Sequence, residues 1–178
     1  CASVIKVPML VEAMRQVREG TLSLDRELVL TADQRVLGSG VTRWLHDGLV
    51  LTLEDLLKLM IIVSDNTATN IVIDVLGFDS VNATMADLGY TFTRLQRKMY
   101  DWESIEKGLD NTCTAADIAG LLAHIARGEI LGGEWDERMI GIMSAQQDSG
   151  KLGLLLPESV KLATKSGGRE GYLHDVGV

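Results

Sequence analysis

The chain opens on Ser3-Val4-Ile5-Lys6, at the head of an apolar run that includes Val7, Met9, Leu10, Val11 and Met14. Residues three apart lie on one side of a helical turn, so this hydroxyl and this amine project together. The run behind them has to be covered by other parts of the chain. A serine alone is a weak nucleophile and needs a base within hydrogen-bond reach. A lysine can be that base if burial or a second cation lowers its pKa. The plainer alternative is an ordinary helix start, with Ser3 as N-cap and Lys6 as a solvated charge.

The composition admits such a core. Hydrophobic residues make up 46% of the 178 positions and charged ones 24%, which suits one packed domain or one lobe of a larger one. Aromatics are only 4%, so the core is aliphatic, with seven methionines. The net charge of -8 argues against nucleic acid and against an anionic membrane surface, since no basic stripe is present. Cys1 and Cys113 do not form a disulfide framework and are expected as free thiols. His46, His124 and His174 are too scattered for a metal site, and no metal or cofactor is expected. Leu56 to Val63 is apolar but short, and Lys58 interrupts it, so no membrane span is expected. No signal-peptide pattern is present; the chain begins at its own first motif.

Helical periodicity covers most of the chain. Ser3 to about Glu19 reads as an amphipathic helix stopped by Gly20, with a kink or tight first turn at Pro8. Thr21 to Leu30 is a connection with a short extended piece, and Gly38-Ser39-Gly40 is a loop. Thr52 caps a helix over Leu53–Val63. Ser64-Asp65-Asn66 interrupts, and Thr67 to Leu76 resumes until Gly77. Asp79 caps a helix to Leu88. Thr91 to Asn111 is a long charged loop, of the length that is often functional. Thr114 caps a helix to about Arg127, and another spans Glu134 to Gln147 and ends near Gly150. Val160–Thr164 and Gly171–Val178 read as strands flanking Lys165-Ser166-Gly167-Gly168. The expected class is α+β, with a helical lobe over 1–150, a β-hairpin over 158–178, and β structure only at the end.

Three short motifs stand in order: Ser3-x-x-Lys6, Ser64-Asp65-Asn66 and Lys165-Ser166-Gly167. Each has a plain structural reading by itself: a helix start, an interhelical turn with an Asn/Asp cap, an edge strand guarded by a lysine. Together they form the signature Ser-x-x-Lys, Ser-Asp-Asn and Lys-Thr-Gly. In these motifs the chain resembles the class A β-lactamases and penicillin-binding proteins, with their β-lactamase/transpeptidase-like fold. The resemblance runs from Ser3 to Val178.

That resemblance implies a serine hydrolase working through an acyl-enzyme on a small β-lactam or peptidoglycan-like substrate. It implies Ser3 as nucleophile, Lys6 as its base, and Ser64 as proton donor to the leaving nitrogen. Asn66 would hold the substrate amide. Lys165 and Ser166 would attract the substrate carboxylate, with serine replacing the usual threonine. Gly167 and Gly168 would line the cleft, and the N–H groups of Ser3 and Gly168 would face the oxyanion. Asp65 would be structural. Family members are exported, so an exported protein is implied.

Two departures matter. The family's deacylating carboxylate sits on a loop that Arg94 to Asn111 resembles, yet Met99 occupies its place. Asp101 or Glu103 lies just beyond, and Glu103 is the candidate replacement. A solvated acidic face over Asp101, Glu103 and Glu106, paired with Arg97 or Lys107, is the alternative. Without that base the adduct persists, as in a penicillin-binding protein, a D-alanyl-D-alanine peptidase or an esterase. The family's usual N- and C-terminal elements are also absent. The expectation is a piece of a longer protein, or a chain whose sheet a second chain completes; an inactive domain is the third reading. Trp44 and His174 are candidates for the cleft rim.

Overall fold

The computed structural model describes residues 1–148, 151–157 and 159–178. A 3₁₀ turn, Ala2–Ile5, runs directly into helix α1, Lys6–Arg18. Pro8 falls in the first turn of α1, where its missing N–H has no intrahelical partner to lose. Every residue from Val4 to Met14 is buried. A helix buried on all sides is central, and α1 packs on α2 (Leu53–Ile62), α3 (Asn66–Leu76), α4 (Phe78–Asp87) and α7 (Gly133–Ser144). One carboxylate lies inside this packing. Burial pushes the Glu12 carboxyl up, but hydrogen bonds from Arg15, Thr84 and Gln16 outweigh it and hold the group below its usual range.

The remaining helices are α5 (Trp102–Glu106) and α6 (Ala115–Ala126). Capping side chains place several of these starts. Thr52 and Asp55 form a reciprocal capping box on α2, Asp65 caps α3, and Thr114 caps α6. Such caps are worth about 1 kcal/mol each. Asp79 does not cap α4. It sits within the first turn, while Gly77 at φ +78° makes the sharp entry that a side chain would resist.

Strand β1 (Glu27–Val29) pairs antiparallel with β2 (Val50–Thr52). This hairpin corrects the expectation of β structure only at the end. Three-residue strands are too short to show an alternating pattern. The second hairpin joins β3 (Thr164–Arg169) to β4 (Tyr172–Gly177), with Ser166 opposite Asp175 and Gly167 opposite His174. The expected strand Val160–Thr164 is therefore displaced toward the C-terminus. The Glu170-Gly171 turn, with Gly171 at φ +80°, sets the register. The lysine motif thus lies within β3. Helix α7 ends at Ser144, short of Gln147, and its expected end at Gly150 lies outside the described residues. The long loop is pinned at its base by Arg94 and Thr112, and it contains α5.

Asp65 ties the loop ahead of α2 to the start of α3. Its carboxylate accepts the N–H groups of Val41 and Thr42, both at 2.7 Å, and of Ala68 at 2.9 Å. Gly40, at φ +104°, lies so close that an added Cβ would meet the Asp65 carboxylate at 2.2 Å. Hydrogen bonds to a charged acceptor are worth about 1.5–3 kcal/mol each, and orphaned buried donors add to the loss. Asp65→Ala is expected to cost roughly 2–4 kcal/mol in chemical denaturation. A loss below about 0.5 kcal/mol, the range of an ordinary surface change, would contradict this account of the loop.

Candidate active site

The three motifs meet at one hydroxyl. Lys6 is wholly buried, and its Nζ donates to the Ser64 carbonyl at 2.8 Å, to Ser64 Oγ at 3.1 Å and to Asn66 Oδ1 at 3.0 Å. Lys165, also wholly buried, donates to the same Ser64 Oγ at 3.0 Å and to the Ser166 carbonyl at 2.7 Å. Residues 58 and 101 positions apart in the chain thus bracket one side chain. Three local devices present them. The 3₁₀ turn points Ser3 and Lys6 inward. Asp65, as the α3 N-cap, sets Ser64 and Asn66 on either side of itself. Strand β3 lies flat on the Ala2–Ile5 turn. Gly167 makes that last contact feasible: an added Cβ would sit 3.1 Å from the backbone nitrogens of Ser3 and Val4.

Ser3 lies at the middle of the resulting cleft. On one side, a cavity of about 430 Å³ is lined by Ala2, Ser3, Asn66, Arg97, Met99, Tyr100, Trp102 and Gly168, among others. On the other, a cavity of about 390 Å³ is lined by Ser3, Ser64, Asp148, Ser166, Gly167 and Gly168, among others. Ser3 and Gly168 belong to both walls. A third cavity, more apolar, adjoins the first through Tyr100 and Trp102 and carries the exposed Trp44.

Electrostatics favour a neutral amine at Lys6. Burial lowers its pKa well below the ordinary lysine value; the Lys165 charge lowers it further, and Asp65 opposes both. As an ammonium, Lys6 has three protons, which the three acceptors named above use up. Loss of one proton frees a lone pair for an incoming hydroxyl proton. Lys165 is brought down to about 8, again by burial, while Asp148 and Asp175 pull it upward.

The loop carrying Met99 is firmly held. Asn70 donates to the Met99 carbonyl at 3.1 Å and accepts its N–H at 2.7 Å. Arg97 pairs with Asp110, and Asn111 Oδ1 accepts the N–H groups of Gln96 and Arg97. Met99 is buried and faces the Ser3 cavity. Glu103 is not brought to the site. It is exposed and paired with Lys107 at 2.5 Å, one turn along α5. Asp101 is spent capping α5 through Ser104.

Sequence reasoning missed Arg97, Tyr100 and Asp148 as parts of the cleft, and Asn70 as the clamp on the Met99 backbone. Only Tyr100 follows a residue the motifs flagged. The others depend on how the loop and the end of α7 fold back. Among the described residues no cluster of His, Cys, Asp or Glu could hold a metal, both cysteines are free, and no helix is long and apolar enough to cross a membrane.

A buried lysine and a second amine on one serine hydroxyl, beside a cleft serine, is an arrangement suited to acyl transfer. The family model described as the β-lactamase enzyme family matches residues 1–178, and the chain belongs to that family. A β-lactamase structure from Sphaerobacter thermophilus is 37% identical with a TM-score of 0.91, over 99% of this chain and 66% of that one. PBP-A is 29% identical with a TM-score of 0.89, over 99% and 65%. β-Lactamase L2 of Stenotrophomonas maltophilia is 35% identical over 88 residues, 48% of this chain and 29% of that protein. The chain thus spans about two thirds of those solved structures.

The two shifted lysines give a direct test. Lysine side-chain NMR is expected to show Lys165 titrating near pH 8 and Lys6 well below the ordinary value. In Lys165→Ala the Lys6 titration moves upward, because a like charge has gone. A Lys6 resonance that stays in place, or ordinary values at both positions, would overturn this electrostatic picture.

Proposed function

We propose that Ser3 is acylated by β-lactams or related amides, and that the acyl-enzyme turns over slowly. The observation that carries this reading is the pair of buried amines, Lys6 and Lys165, on the single Ser64 hydroxyl beside Ser3. In the first step Ser3 Oγ bonds to the carbonyl carbon and its proton passes to neutral Lys6, directly or through water. Ser64 gives a proton to the leaving nitrogen as the C–N bond breaks, and Lys6 replenishes Ser64. The N–H groups of Ser3 and Gly168 are the proposed oxyanion donors; losing one such donor typically costs about 2.7–4 kcal/mol of barrier. Asn66 holds the substrate amide. Lys165 and Ser166 attract an anionic substituent.

Slow deacylation follows from Met99. An ester on Ser3 needs an activated water, and the side chain facing it from the loop is a thioether with no proton-accepting strength. Glu103, exposed and paired with Lys107, does not supply the missing base. This favours penicillin-binding behaviour over rapid hydrolysis. An acyl-enzyme complex with penicillin G is known for a leucine-to-glutamate mutant of PBP-A. Export from the cell is the location that family membership supports.

Incubation with benzylpenicillin, followed by intact mass, is expected to give one lasting adduct, absent in Ser3→Ala. Met99→Glu is expected to shorten its lifetime by at least tenfold, general-base catalysis being worth about 10²–10⁴. The rate of adduct formation should rise with pH as Lys6 loses its proton and fall above about pH 8, where Lys165 loses the charge that attracts the anion. An unmodified mass after long exposure would refute the acyl-transfer reading; rapid turnover by the unaltered chain would refute the assignment of slow deacylation.

A further inference from the structure

The cavity wall beside Lys165 and Ser166 holds a carboxylate that neither the motifs nor the proposed chemistry uses. Asp148, just beyond α7, lines the same cavity as Ser3, Ser64 and Ser166. Its Oδ2 is 3.6 Å from Lys151 Nζ. The Ser166 hydroxyl lowers the pKa of its carboxyl most; burial, the next largest influence, opposes this, and Lys151 and then Lys165 bring the group below the usual range. A second carboxylate lies behind the same strand. Asp175 is the register partner of Ser166; its Oδ2 accepts the Leu152 N–H at 2.8 Å, and its Oδ1 is buried without a partner. Lys151 thus pairs with Asp148, while the charges of Asp148 and Asp175 reach Lys165 from farther away.

We propose that Asp148 sets specificity on the leaving-group side of the cleft: it weakens the pull of Lys165 and Ser166 on an acyl donor's carboxylate and so narrows the advantage of acidic donors over donors that are neutral at that position. The inference rests on the acyl-transfer reading above and names the substrate class of that same site. Its physical basis is competition for one proton and one charge. The Ser166 hydroxyl has a single hydrogen to donate, and Asp148 lines the same cavity wall. An incoming carboxylate needs the same donor and the same Lys165 charge, and it must come close to a like charge to reach them. A neutral ester or amide accepts from Ser166 without that repulsion.

The test uses benzylpenicillin and its methyl ester, which differ only in the carboxylate. Second-order rate constants for acylation are measured by intact mass on the unaltered chain and on Asp148→Asn. The asparagine keeps the side chain's shape, and thermal unfolding confirms that the variant folds. The acid-to-ester rate ratio is expected to rise about tenfold in Asp148→Asn, the scale of one nearby charge in a solvated cleft. Most of that gain should vanish in 1 M salt, where the screening length falls to about 3 Å. A ratio within twofold of the unaltered chain's would overturn the proposal. If neither compound acylates either protein, the acyl-transfer reading fails. The acid-to-ester affinity ratio, by calorimetry on Ser3→Ala with and without Asp148→Asn, then decides the role of Asp148 by the same threshold. Absence of binding by both compounds in both proteins would also count against it.

Discussion

Burying two lysine amines within reach of one hydroxyl is the demand on which the rest of the structure turns. Removing an ammonium from water costs several kcal/mol even after relaxation, and here Lys6 and Lys165 are both fully inaccessible. Among the described residues neither lysine has a tight ion pair: the hydrogen-bonding partners are carbonyl, hydroxyl and amide oxygens. Such a site leaves protonation as the adjustable quantity. A buried amine with neutral acceptors sheds its proton more readily than one beside a carboxylate, and a neutral amine is what a serine needs as a base. The aliphatic core around α1 supplies the cohesion that keeps water from relieving the penalty.

Rigidity in the surrounding backbone has the same origin. Among the described residues, Ala2, Ser64 and Tyr100 are the non-glycine residues with positive φ, at +48°, +54° and +61°. All three line the cleft. Ala2 precedes Ser3, Ser64 is the shared hydroxyl, and Tyr100 follows Met99. A residue in the left-handed region costs of order 1–3 kcal/mol and persists only where its surroundings over-determine it. The over-determining contacts are visible: Asp65 with its three backbone donors next to Ser64, and the Asn70 clamp on Met99 next to Tyr100. Strain and its restraint sit side by side at each of these two positions.

What was legible in the sequence follows from this division. The motifs and helix caps are local, so Ser3, Lys6, Ser64, Asn66 and Lys165 could be marked from the family signature they resemble, and Thr52 and Thr114 from capping preference. The cleft's other wall could not. Asp148 and Arg97 carry no local signal, because their role comes from how the end of α7 and the long loop return to β3. Glu103 illustrates the opposite error. Proximity in sequence to Met99 made it a candidate, but α5 begins between them, and a short helix capped by Asp101 turns Glu103 toward Lys107 and solvent. The β1–β2 pair was invisible for a third reason: strands of three residues take their stability from a partner distant in sequence, not from their own pattern.

Under the proposed chemistry, one position on the loop decides between trapping an acyl group and releasing it. Its anchors, Arg97 on Asp110, Asn111 on two N–H groups, and Asn70 on the Met99 backbone, all act without the side chain at 99. The loop is therefore held in place whatever that side chain is. A methionine there joins Tyr100, Trp102 and Ile105 along the Ser3 cavity and offers no proton acceptor. A carboxylate there would be partly desolvated, its pKa raised toward the range of a general base. Scaffold and chemistry are separable at this point. On that proposal the same backbone would serve a slow or a fast enzyme, the difference lying in whether the cleft offers water a proton acceptor.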